Sequence, residues 1–132
     1  MNHFNYNDGG RKSAGYKGSA GDCVTRAIAI ATNIPYKEVY KELFKRAGHT
    51  PRNGMHKRYY EPYLKELGFV WIPTSGFGIG FNLHLNPNEL PKGIIIARVT
   101  KHLCTVIDGV INDTSDCSRN GKRGVYGYYQ KL

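Results

Sequence analysis

Gly21-Asp22-Cys23-Val24-Thr25-Arg26-Ala27-Ile28-Ala29-Ile30-Ala31-Thr32 decides how the rest of this chain is read. Val24, Ala27, Ile28 and Ala31 recur at i, i+3, i+4 and i+7, with Ile30 beside them, which marks one face of a buried helix. Asp22 belongs to the N-cap residues and Gly21 lets the chain turn in, so the helix is expected to start at or just after Cys23. A thiol on the first turn meets unpaired N–H groups and the positive end of the helix dipole, both of which favour a thiolate. That is one way to build a cysteine nucleophile. Free cysteine is also among the most buried residue types, so position alone leaves a plain packing role open.

Upstream, residues 1–20 are rich in Asn, Gly and Lys and read as an extended leader, partly ordered against the body. Residues 21–132 read as one domain, long enough to bury a core without staples. After Thr32, Asn33-Ile34-Pro35 breaks the helix and Pro35 starts another, Tyr36 to Ala47, stopped by Gly48. A basic loop, His49 to Lys57, precedes a third helix expected over Arg58–Leu67, with Pro62 placing its start in question. Phe69 to Ile72 is a short strand ended by Pro73. The glycines of 74–80 resemble a phosphate loop only loosely, since no helical pattern follows, and are read as the lip of a cleft.

Beyond Leu90 the pattern turns β: Ile94–Val99, then His102–Ile107, then Asp108-Gly109 and a returning strand over Val110–Thr114. Asp-Gly between alternating apolar residues is a strong hairpin signal. A final strand is expected over Gly124–Tyr129. Helices first and antiparallel strands last make the fold class α+β.

A two-residue turn at Asp108-Gly109 sets Val106 opposite Ile111 and Cys104 opposite Asp113. His102, Cys104 and Val106 then share a face with Ile111, Asp113 and Ser115, and His102 and Asp113 become diagonal neighbours. Asn112 points to the other face. A histidine ending a strand and an aspartate near a turn each have ordinary explanations. Together on an otherwise apolar face they are harder to dismiss, because an unpaired carboxylate there is costly.

The totals bound the partners. Lysines and arginines number 19 against 10 acidic residues, giving +9 and an isoelectric point near 9.6. The basic residues are spread from Arg11 to Lys131, which points weakly to a polyanion or an acidic protein. No stretch approaches the roughly 20 apolar residues that span a bilayer. Met1-Asn2-His3-Phe4-Asn5-Tyr6 lacks the basic start and apolar block of a secretion signal. Three cysteines without paired spacing argue against a disulfide framework and for a reducing cytoplasm. Cys104 is expected in a core strand and Cys117 at the surface. No metal or cofactor is expected.

A cysteine opening the first core helix, a histidine opening a strand and an Asp or Asn on the next strand follow the chain order of papain-like cysteine peptidases. Gly21 to Ala29, His102 to Gly109, Asn112-Asp113-Thr114, Tyr63-Leu64, Leu67-Gly68 and Val125 to Tyr128 resemble a group of small papain-like proteins of phage and bacterial origin. The resemblance covers most of residues 20–130. It implies helices packed on a C-terminal antiparallel sheet, with Cys23 as nucleophile, His102 as general base and acid, and Asp113 as the residue that orients the imidazole. The implied activity is hydrolysis of an amide or isopeptide bond in a protein or peptide through an acyl-thioester, and deamidation or transglutamination would use the same groups. In that family a Gln several residues before the Cys donates to the oxyanion. Here the offset falls on Lys17 and no Gln precedes Cys23, so the Cys23 N–H and Lys17, or an Asn of the leader, are the candidate donors.

A reading from a different class keeps the fold as a binding module with weak or no activity. It would dock an acidic host protein or a nucleic acid through Lys57-Arg58 and Arg119, Lys122 and Arg123. Tyrosines of the last strand would stack bases, although strand tyrosines are more often core partners.

Overall fold

The computed structural model describes residues 3–18, 20–74 and 81–132. Its elements run β1 (Phe4–Tyr6), α1 (Cys23–Thr32), α2 (Tyr36–Ala47), a 3-10 turn (Pro51–Asn53), α3 (Lys57–Glu66), β2 (Phe69–Pro73), β3 (Ile94–Val99), β4 (His102–Ile107), β5 (Val110–Asp113) and β6 (Gly127–Lys131). The class is α+β: three helices and one six-stranded sheet in the order β1-β5-β4-β3-β6-β2.

The hairpin follows from its turn. Asp108 and Gly109 both take positive φ, 49° and 82°, as a two-residue turn with the right twist requires. Ile107 therefore faces Val110, Val106 faces Ile111 and Thr105 faces Asn112. Cys104 and Val106 lie in the core formed with Leu85, Ile95 and Val125. Leu103 joins the other core, under α1 and α3, with Ile28, Leu43, Leu64 and Tyr129. The sheet thus buries apolar side chains on both faces, and β3 and β4 read as nearly continuous apolar runs for that reason.

Helix α1 is docked by burial and by polar bonds to the sheet. Ala27 and Ile28 are almost fully buried, and Thr105 Oγ1 donates to the Ala27 carbonyl at 2.6 Å. Helix α3 runs through Pro62. A helix-interior proline costs about 3 kcal/mol. Burying Tyr60, Tyr63 and Leu64, at about 1.5–3 kcal/mol for a large side chain, outweighs that.

Three expectations need correction. The sheet is mixed, since β1 from the leader pairs parallel with β5, Phe4 opposite Ile111 and Tyr6 opposite Asp113. Three residues are too few for a period-2 pattern, and side chains help hold the strand: Asn5 donates to Asn112 Oδ1 at 2.9 Å. Asp22 precedes α1 without capping it, because its carboxylate is taken by side chains described below. The last strand begins at Gly127, and Val125 is instead buried in the connection before it. The lip proposed at Gly76–Gly80 lies outside the described residues.

The leader is tied to the body at several points. Tyr16 stacks on Tyr36 and Tyr40 with ring centroids 5.0 and 4.9 Å apart. Gly9, at φ 70°, comes so close to α1 that a Cβ would lie 3.2 Å from the Arg26 carbonyl. Among the described residues no helix is long and apolar enough to cross a membrane.

Candidate active site

Three polar residues stand at the ends of three elements: Cys23 opens α1, His102 opens β4 and Asp113 closes β5. The hairpin register brings the last two together, and His102 Nε2 lies 2.6 Å from Asp113 Oδ2. Asn112 is turned to the leader side, where its Oδ1 accepts from Asn5 and Asn7. With Nε2 occupied by the carboxylate, Nδ1 is the ring nitrogen left over, and Cys23 lines the same cleft as His102, whose imidazole acts to lower the thiol. The backbone N–H of Leu103, next on β4, also acts to lower the Cys23 thiol. A helix start and a strand start thus converge on one thiol.

The electrostatics favour an ion pair. Burial pushes the Cys23 thiol up, but the His102 hydrogen bond, the Leu103 N–H and the Arg26 charge together bring it below its usual value. Burial alone would lower His102; the Asp113 carboxylate and two neighbouring thiols reverse this and raise it to about 11. Asp113 is held below the usual carboxylate range, burial being outweighed by His102, the Thr114 N–H and Arg26. All three shifts act toward the charged forms, thiolate, imidazolium and carboxylate.

Arg26 is the residue that the sequence pattern gave no role. It is 8% exposed on a helix otherwise apolar on that side. Its guanidinium pairs with Asp22 and reaches Asp113 Oδ1 at 3.4 Å, so one cation joins the start of α1 to the end of β5. Asp22, itself 1% exposed, also accepts from the Tyr36 hydroxyl at 2.5 Å and lies 3.2 Å from Arg11 Nε. The i,i+4 spacing of Asp22 and Arg26 was the available signal for this pair, and a buried arginine on an apolar helix face was the hint that it does more.

Cys23 and His102 line a cleft of about 330 Å³ whose walls are Val24 from α1, the Met55–Tyr60 region and the β3–β4 turn. Among the described residues lining it, His56, Lys57, Arg98 and Lys101 are basic and none is acidic. Trp71 is not among the residues that line it, and the Arg98 guanidinium lies 5.8 Å over its ring. The N–H groups of the first turn of α1, Cys23's own among them, have no intrahelical acceptor, and Cys23 is half-buried where Val24 and Thr25 are buried. Lys17 is exposed and lines a separate cavity with Arg11, Tyr16 and Asp22, away from the residues that line the Cys23 cleft.

Cys117 is half-buried, and its sulfur and the donor atoms of His102 and Asp113 lie within 4.8 Å of one another. Three such donors match the ligand types of a soft divalent cation, but here His102 and Asp113 already satisfy each other. Of the tyrosines offered as base-stacking groups, Tyr129 is buried against Tyr60 and Trp71 with its hydroxyl on Glu61. Arg123 spends its guanidinium on the carbonyls of Thr100 and Cys117. Comparison of the chain with protein-family models, with curated proteins and with solved structures finds no match.

Proposed function

We propose that this protein is a papain-like cysteine hydrolase that cleaves an amide-type bond in a protein or peptide. The observation that carries the reading is the grouping of Cys23, His102 and Asp113, in which His102 bonds Asp113 at 2.6 Å and lines one cleft with Cys23. The Cys23 thiolate attacks the scissile carbonyl, and the oxyanion that forms is met by N–H groups of the first turn of α1. The His102 imidazolium then gives its proton to the leaving amine, which departs as the acyl-thioester forms. Neutral His102 next takes a proton from water, which attacks the thioester and releases the acid and the thiolate. Asp113 holds the ring in place and stabilises its charged form in both halves of the cycle. The basic, carboxylate-free lining favours substrates with acidic side chains beside the scissile bond.

Incubation with a proteome-derived peptide library tests this. Cleavage that vanishes in Cys23→Ala, with acidic residues enriched near the new termini, is the expected result. No cleavage and no acylated Cys23 detectable by mass would remove the hydrolase reading. The resemblance to small phage and bacterial proteins and the free thiols support a reducing cytoplasm as its place of action.

The same basic lining favours a second reading, a fold that binds an acidic protein or nucleic acid with little catalysis. It predicts salt-sensitive binding unchanged by Cys23→Ala, where the enzyme predicts turnover lost by it.

A further inference from the structure

Two sulfurs near the site have no part in the hydrolytic cycle. Cys104 lies on β4 and is 1% exposed. Cys117 lies in the loop after β5, half-buried, and opens on a surface cavity of about 480 Å³ lined also by Lys101, His102, Arg119 and Arg123. Cys117 packs against the core cluster that holds Cys104, and its sulfur lies within 4.8 Å of the donor atoms of His102, two residues before Cys104 on β4, and of Asp113.

Reaction of a thiol with a peroxide requires a thiolate, a path to solvent and a second thiol to resolve the product. Cys117 has the path, through its cavity. It has cationic neighbours, since Lys101, Arg119 and Arg123 share that cavity and Asp113 keeps His102 protonated. Cys104 is buried in the cluster that Cys117 packs against and needs no opening to solvent to react. We propose that Cys117 and Cys104 are a peroxide-oxidisable pair that closes into an intramolecular disulfide beside His102.

The chemistry balances. The Cys117 thiolate attacks one oxygen of a hydroperoxide, the O–O bond breaks, and the departing alkoxide or hydroxide takes a proton and leaves as alcohol or water. Cys117 is then a sulfenic acid. The Cys104 sulfur attacks the Cys117 sulfur, an S–S bond forms as the S–O bond breaks, and the hydroxyl leaves with the Cys104 proton as water. Two thiols lose two electrons and one peroxide gains them.

The test uses Cys23→Ser protein, so that the presumed nucleophile contributes no thiol and the fate of the hydrolase reading does not enter. After hydrogen peroxide treatment, denaturation and alkylation, the two remaining free thiols per chain are expected to fall to none and to return with dithiothreitol. Peptide mapping should find Cys104 joined to Cys117 of the same chain. With Cys104 also changed to Ser, Cys117 should be trapped by dimedone as the sulfenic acid. Two thiols still free after peroxide, or Cys117 joined to a second chain in place of Cys104, would overturn the proposal.

Discussion

Thr105 on β4 donates a 2.6 Å hydrogen bond to the carbonyl of Ala27, one turn along the helix that Cys23 opens. His102 begins the same strand, so this bond fixes the helix carrying the sulfur against the strand carrying the imidazole. That bond and the Arg26–Asp113 pair together hold α1 against the hairpin that carries His102.

Thr105→Val keeps the shape and removes the bond. The Ala27 carbonyl retains its helical partner, so the expected cost is about 1 kcal/mol, read as a lower denaturant midpoint with unchanged slope. The kcat should fall by more than stability does, because a small shift of α1 spoils the Cys23–His102 contact. Equal kcat in variant and wild type would show that the bond has no positioning role.

Asp113→Asn removes the charge that holds His102 protonated. The kcat is expected to drop by about 10²-fold or more. The alkaline limb of the activity profile, set in the wild type by His102 near 11, should move toward neutrality. Stability carries the same signature. His102 is raised above its unfolded value, so its contribution is fully present below about pH 6.5 and is lost as pH rises through about 11. Asp113 is lowered, so its contribution is present above the usual carboxylate range and is lost as pH falls below it. Below about pH 9 the lowered Cys23 and Cys117 thiols offset this slope, so thermal unfolding between about pH 9 and 11 should weaken with rising pH more steeply in the wild type than in the variant.

Arg26→Ala would leave Asp22 and Asp113, 1% and 3% exposed, without their shared cation. Breaking a buried pair from one side costs about 3–5 kcal/mol. Arg26→Lys restores the charge without the two-armed reach and should recover part of the loss, mostly at Asp22, which lies one helical turn away. Chemical denaturation of the three proteins orders them wild type, Lys, Ala.

The parts of this molecule written in local pattern could be read from the chain. Asp108-Gly109 fixed the turn, the turn fixed the register, and the register put Asp113 and not Asn112 beside His102. The apolar spacing in Val24–Ala31 fixed α1. Contacts made across the fold left no such trace. Phe4–Tyr6 is too short to show a period, and its parallel partner stands more than a hundred residues away. Asp22 has the chemistry of a cap, and only the arrival of Tyr36, Arg11 and Arg26 diverts it. Cys117 reads as a surface residue because the loop around it is polar, whereas the fold turns it onto Cys104 and His102.

The central claim is that His102 holds Cys23 as a thiolate, and site-by-site iodoacetamide alkylation at pH 6 tests it most directly. Cys23 should react fast in the wild type, far below the usual thiol range, and slow by at least about tenfold in His102→Ala protein of unchanged circular dichroism. An equal rate at Cys23 in the two proteins would contradict the account.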